Sequence, residues 1–282
     1  MTKVTPRLGV ALGTIGATAD EWLILAGELA KLPITRVWIW DHLMGRGAPE
    51  RPVLEALTLA SAALARHPAL SVGTLVLDVT KRHPALVAKS IATITSFAPN
   101  RLIIGLGAGG DVAEHHALGI PFGSSEERLD QLADSVAIVR ALLEGDPASR
   151  VTRAAPSGRV ALDGAASSPR PVERVPLYIA GDHPTSISLA ATEGDGWIAP
   201  LTTFAAGATR LREEERRSGR VAGSVSSVAL QELGSDELLT DSQFGRSPDA
   251  WLAEQRAAGA DEVIITVRSP RDVAALSAMM RP

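Results

Sequence analysis

The chain contains no cysteine, so neither a disulfide framework nor a thiolate metal centre is open to it. No segment reaches the ~18 consecutive apolar residues of a membrane-spanning helix, and the opening MTKVTPRLGVALG has no apolar stretch of signal-peptide length. Positive charge is not in excess: the net charge is −4, against the basic face that a nucleic-acid partner favours. There is no G-x-S-x-G nucleophile elbow and no Walker A lysine, which removes support for serine hydrolysis and nucleoside triphosphate chemistry. These absences leave a soluble, cytoplasmic protein with a small-molecule substrate and no nucleic-acid or membrane partner as the expectation.

What is present is a regular alternation. Apolar residues make up 45% of the 282 positions, enough for a large core. Short β-prone runs lie at 8–12, 36–40, 70–77, 101–108, 176–181, 196–201, 224–233 and 261–267. Each is followed by a segment of helical period, at 19–32, 53–67, 83–97, 124–145, 184–194, 204–219, 247–260 and 269–280. In the first of these, Trp22, Leu25, Leu29 and Leu32 recur at three- and four-residue spacing. Continuous apolar strands alternating with helices indicate a parallel sheet covered on both faces. Eight such units in about 250 residues favour a closed (β/α)8 TIM barrel over an open sheet, with one domain spanning 1–282. The irregular stretch 146–175 reads as an insertion between the fourth helix and the fifth strand, with a hairpin turn at Ser157-Gly158. Gly145, Gly194, Gly219 and Gly259 end candidate helices, where a left-handed cap would suit glycine. Ser247-Pro248 and Ser269-Pro270 read as N-cap and first-turn pairs.

In a barrel, functional groups collect where the strands end and the βα loops begin. VWIWDHLMG (37–45) runs from a buried strand straight into Asp41 and His42, placing both on that rim. The third strand brings Thr74 and Asp78 to the same mouth, the fourth ends in GLGAGGD (105–111) and the fifth in AGDHP (180–184). GLGAGG lacks the last glycine of a dinucleotide fingerprint and lies in the fourth βα unit rather than the first, against a Rossmann site. AGDHPTS presents free backbone N–H groups to an anion, but it reads equally well as an ordinary turn with Asp182 capping the helix. A single histidine such as His42 is more often structural than catalytic; its pairing with Asp41 on the rim raises the functional reading. EHH (114–116) has no third ligand at suitable spacing, so no metal site is expected. REEERR (212–217) reads as a solvated helix face.

Taken together, VWIWDHL (37–43), VGTLVLDVTKRHPALVAKSIATITSFAPNRLIIGLGAGG (72–110), HALGIPF (116–122), ERLDQLADSVAIVRALLEG (127–145) and RPVERVPLYIAGDHPTSISLAATEGDGW (170–197) resemble the luciferase-like monooxygenase superfamily. The resemblance is closest to its branch using the deazaflavin coenzyme F420, which includes the methylene-tetrahydromethanopterin reductases. It implies a TIM barrel with the cofactor ring across its top and hydride exchange at deazaflavin C5 with a small organic substrate. His42, beside Asp41, would face the ring and shuttle a proton. GTLVLD would back the ring through Thr74, Leu75, Val76 and Asp78, with a cis peptide at Leu75–Val76. Gly107, Ala108 and Gly109 would line the cofactor's polar tail, and Gly181, Asp182, His183 and Pro184 its phosphate. The resemblance further implies a homodimer and a flavin or F420 reductase as partner. Two departures stand out. Gly110 occupies the place where some deazaflavin enzymes carry an acid, leaving Asp111 or Glu114 as substitutes, and Asp182 puts a carboxylate in the phosphate turn. Alternatives are an FMN-dependent monooxygenase fed by a separate reductase, and a barrel that binds flavin without turnover.

Overall fold

The computed structural model describes residues 7–146, 148–234 and 237–280. Its strands in chain order are β1 (Arg7–Leu12), β2 (Val37–Ile39), β3 (Val72–Thr74), β4 (Leu77–Asp78), β5 (Leu102–Gly107), β6 (Val151–Ala154), β7 (Ala161–Ala165), β8 (Leu177–Ala180), β9 (Gly196–Pro200), β10 (Ser226–Gln231) and β11 (Glu262–Val267). Setting aside β6 and β7, which form their own hairpin, the strands pair in parallel. The ring runs β1, β2, β3 with β4, β5, β8, β9, β10 and β11, and it closes through β1 on β11, where Arg7 faces Glu262 and Leu12 faces Val267. β3 and β4 are two pieces of one stave: β3 pairs with β5 at Val72 and Gly73, β4 at Leu77 and Asp78. The Leu75–Val76 bond between them is cis, where the family resemblance placed it. The eight-stave barrel expected from the alternation is therefore the fold.

The helices are α1 (Ala19–Leu29), α2 (Ala56–Arg66), α3 (Pro84–Phe97), α4 (Val112–Leu118), α5 (Ser125–Leu143), α6 (Pro184–Glu193), α7 (Leu201–Arg217), α8 (Gln243–Arg246), α9 (Pro248–Ala257) and α10 (Pro270–Met279). Burial has two layers. The larger packs the helices onto the outside of the ring; the smaller fills the barrel interior with Trp38, Leu75, Ile103, Tyr178, Ile198, Val228, Leu230 and Ile264. Glycines make room for the two large rings inside. A Cβ on Gly73 would stand 2.3 Å from the Trp38 indole, and one on Gly196 would stand 2.6 Å from the Tyr178 ring. Those positions are glycine because the barrel is filled, not hollow.

Several local expectations change. α1 stops at Leu29, and α7 begins directly after β9 at Leu201 rather than at 204. α4 and α8, of seven and four residues, are too short to show a period in the sequence. Gly145, Gly219 and Gly259 take positive φ, but Gly194 has φ −81°. It is glycine for a different reason, since a Cβ there would meet the Ala190 carbonyl at 2.8 Å. Ser269 caps α10 through its side chain, whereas Ser247 makes no such bond at α9. The 146–175 insertion does carry a hairpin, with Gly158 at φ +75° in its turn and the Ser157 N–H held by Asp134 of α5 at 2.9 Å.

Candidate active site

A cavity of about 620 Å³ opens at the C-terminal ends of the strands, within the size range of small-molecule sites. It gathers Asp41, His42, Leu75, Val76, Asp78, Gly107, Ala108, Gly109, Gly181, Asp182 and His183 from four separate loops. Two of the expected residues do not line it. Thr74 is fully buried between staves, where its Oγ1 donates to the Gly105 carbonyl at 3.0 Å and accepts from the Gly105 N–H at 2.9 Å. Pro184 is the first residue of α6 and is exposed, outside the cavity lining. Asp182 is not the cap of that helix; His183 is, its Nδ1 accepting from the Thr185 N–H at 3.2 Å. The Asp182 carboxylate therefore stays exposed at the cavity edge.

The floor and back wall are apolar, formed by Trp40, Leu75, Val76, Ile198 and Leu230. The glycine turns bring backbone into the wall. A Cβ on Gly107 would lie 2.6 Å from Val76 Cγ2, and Gly109, at φ +76°, presses against the Asp78 carboxylate. Such backbone approach is available to glycine alone.

Asp41 and His42, adjacent in sequence, have unlike surroundings. Both Asp41 oxygens are gripped by Arg82 at 2.6 Å, and Oδ2 also accepts the Asp78 N–H at 2.8 Å. Burial holds the Asp41 carboxyl above its ordinary range, although Arg82, the Asp78 N–H and Lys81 pull it down. The two-pronged contact decides for an ion pair, and burial notwithstanding, Asp41 and Glu55 hold the Arg82 guanidinium above its ordinary range. Asp41 lines the cavity, and its oxygens are engaged by Arg82 and the Asp78 N–H. His42 is different. Its Nδ1 is buried without a hydrogen-bond partner, and its ring stacks on Trp40 with centroids 6.3 Å apart. Burial, with Arg46 and Lys81 nearby, holds the imidazole below its ordinary range against the opposite pull of Glu114 and Asp111. That direction favours the neutral imidazole.

Charged groups that the motif reading passed over complete the rim. Lys81 forms a buried ion pair with Glu114, and Arg46 stands 3.8 Å from Asp111. Arg128 of α5 bridges the Ala108 and Gly123 carbonyls at 3.1 and 2.6 Å, with its guanidinium 4.0 Å from the Phe122 ring centroid. The signal for Lys81 and Arg82 was present in the TKRH run that follows the third strand. The EHH run serves α4 rather than a metal: His115 is fully buried, with Nδ1 on the Asp111 carbonyl at 2.7 Å and Nε2 on Thr80 Oγ1 at 2.6 Å. No described helix is long and apolar enough to cross a membrane.

Comparison with known proteins agrees with this geometry. The chain is 29% identical over 254 residues to the F420-dependent hydroxymycolic acid dehydrogenase of Mycobacterium tuberculosis, covering 86% of this chain and 66% of that protein. It is 29% identical over 241 residues to the F420-dependent glucose-6-phosphate dehydrogenase of Kineococcus radiotolerans, covering 80% and 68%. A further enzyme of that name from Beutenbergia cavernae is 34% identical over 120 residues, 40% of this chain and 32% of that protein. The chain thus spans about a third to two thirds of the length of these curated relatives. In structure it matches an F420-dependent secondary alcohol dehydrogenase in complex with an F420-acetone adduct, with a TM-score of 0.81, 17% identity and 99% of each chain covered. The F420-dependent tetrahydromethanopterin reductase of Methanopyrus kandleri follows at a TM-score of 0.75 and 17% identity, over 99% of this chain and 98% of that one. These structural likenesses bear on the fold. The profile of the luciferase-like monooxygenases matches residues 1–232, the part of the chain that carries the cavity's glycine turns, the cis Leu75–Val76 wall and His42, and the chain belongs to that family.

Proposed function

We propose that the protein is an oxidoreductase that uses coenzyme F420 and an unidentified small organic substrate. The observation that carries the reading is His42: an imidazole on the wall of an apolar-backed cavity, with one buried ring nitrogen unpaired in the protein. Its relatives' names supply the cofactor, and the chain's own residues fit it. Leu75 and Val76 give an apolar backing for a ring system, and Gly107 to Gly109 and Gly181 give room for a polar tail to lie against backbone. When bound, the deazaflavin supplies the hydride exchange.

The residues of this chain would do the rest. The apolar wall would exclude water from the ring face. His42 would accept the proton that a substrate releases as it is oxidised, or return it in the reverse direction; a base that is neutral at working pH is ready to do so. Asp41 and Arg82 would keep the loop that carries His42 in place. The same reading includes a homodimer, a reductase that renews the coenzyme, and a cytoplasmic location.

Titration of the purified protein with F420, followed by quenching of the coenzyme's fluorescence, tests this. Saturable quenching at micromolar protein is expected, and its absence would overturn the reading. Tight retention of FMN, with oxygen uptake on reduction, would favour the FMN-dependent monooxygenase instead.

A further inference from the structure

The Lys81–Glu114 ion pair is buried on both sides, with 3% side-chain exposure for each partner. Its two members come from different loops: Lys81 from the turn after β4, Glu114 from α4. Both reach the segment that carries His42. Lys81 Nζ donates to the Asp41 carbonyl at 2.9 Å. Glu114 Oε1 accepts the Leu43 N–H at 2.5 Å and the Met44 N–H at 2.8 Å, while Oε2 takes the lysine. The peptide group before His42 and the one after it are therefore held from the two ends of a single ion pair. Glu114 is itself fixed, because Asp111 accepts its N–H at 3.1 Å and the neighbouring His115 is locked between Asp111 and Thr80.

Both oxygens of Glu114 are thus engaged, so Glu114 is not a free carboxylate. The buried pair is also a poor investment in stability alone. Taking two charges out of water costs several kcal/mol per ion, and apolar replacements of like volume often do as well. A pair kept under those conditions, and aimed at the backbone on either side of one imidazole, has a geometric purpose. A displacement of about 1 Å at a reacting group costs on the order of 10²-fold in rate.

We propose that the Lys81–Glu114 pair positions His42, fixing the peptide frame from which its imidazole reaches into the cavity. Lys81 and Glu114 are positioning residues, and the proposal rests on the reading of His42 as the proton carrier. The pair also sets the charge around the ring. Glu114 and Asp111 on the α4 side favour the protonated imidazole, Arg46 and Lys81 disfavour it, and Trp40 stacks on it without adding charge.

Glu114→Gln tests the proposal, because the amide oxygen still accepts from Leu43 and Met44 while the charge is lost. Two readouts are needed. The first is the imidazole NMR signal of His42 in the ligand-free protein: in E114Q it is expected to take up its proton at lower pH than in the wild type, a change that general loosening of α4 would not produce. The second is steady-state turnover: kcat is expected to fall by roughly tenfold in E114Q and about 10²-fold in E114A, while F420 affinity by fluorescence stays within about threefold. If E114A fails to fold, as judged by its melting transition, E114Q alone decides. Wild-type His42 titration together with wild-type kcat in E114Q would overturn the proposal. Failure of the wild type to bind F420 would sink the cofactor reading alone, since the His42 titration and the exchange protection of the Leu43 and Met44 amides are read without coenzyme. Unchanged titration in E114Q and unchanged protection in E114A would then overturn the positioning role on their own.

Discussion

Arg82 grips both carboxylate oxygens of Asp41 at 2.6 Å each and extends the same guanidinium to Glu55 at 2.7 Å. One side chain thereby ties the end of β2 to the cap of α2 and to the turn that follows the cis Leu75–Val76 bond. Removing one partner leaves a buried charge uncompensated. Arg82→Met is expected to cost about 3–5 kcal/mol in denaturant unfolding. Arg82→Lys should recover only part of that, because an ammonium cannot make the two-pronged contact.

His42 should separate chemistry from binding. His42→Ala is expected to lower kcat by about 10²- to 10⁴-fold with little change in F420 affinity by fluorescence titration. Burial lowers the proton affinity of the wild-type imidazole, so its neutral form prevails down to below about pH 6.5. For the direction that needs a base, kcat/KM should therefore hold through neutral pH and fall on the acid side. That acid limb should vanish from the pH–rate profile of the variant.

The glycine turns should differ in tolerance. Gly109→Ala combines φ +76° with a Cβ 2.6 Å from both Asp78 carboxylate oxygens, and a strained left-handed residue costs of order 1–3 kcal/mol. Its neighbour Gly110 has nothing within 4 Å of an added Cβ. Thermal unfolding should show a clear loss for G109A and almost none for G110A.

Away from the site, Glu215 is fully buried and receives the N–H groups of Gly223 and Val225, both at 2.7 Å, and Arg212 at 3.0 Å. Burial alone would raise its carboxyl, but these donors win and hold it below the ordinary range. Because the folded value is depressed, the stabilisation is present above the unfolded value near pH 4.3 and is lost as pH falls through the folded one. Glu215→Gln should destabilise the protein by about 1–3 kcal/mol at neutral pH. Its melting temperature should also depend less on pH between about 5 and 3 than that of the wild type.

Glu215 belongs to the REEERR run, which reads as a solvated face in the sequence. The helical period of α7 turns this one carboxylate inward onto the loop before β10, and a run of like residues carries no mark of which member is buried. Thr74 and Asp41 show the same limit at the site. Position at a strand end puts a residue near the mouth, but whether its side chain faces the cavity or a neighbouring stave follows from register and partners. For His42 the motif was enough, because a strand of buried apolar residues that ends in histidine delivers it to the rim. For Lys81, Arg82 and Glu114 it was not, since the partners that hold them across the site lie 27 to 71 residues away in the chain.

The eight-fold alternation, the glycine turns and the Asp-His strand end are determined by the sequence alone, because hydrophobic period and backbone freedom are local properties. Tertiary structure alone decided that Asp41 is bound to Arg82 while its neighbour stays unpaired, that Glu114 is clamped rather than free, and that Gly194 serves packing instead of a left-handed cap. Charge pairing and burial depend on what closes over a residue, and in a barrel that comes from distant strands brought together only when the ring shuts.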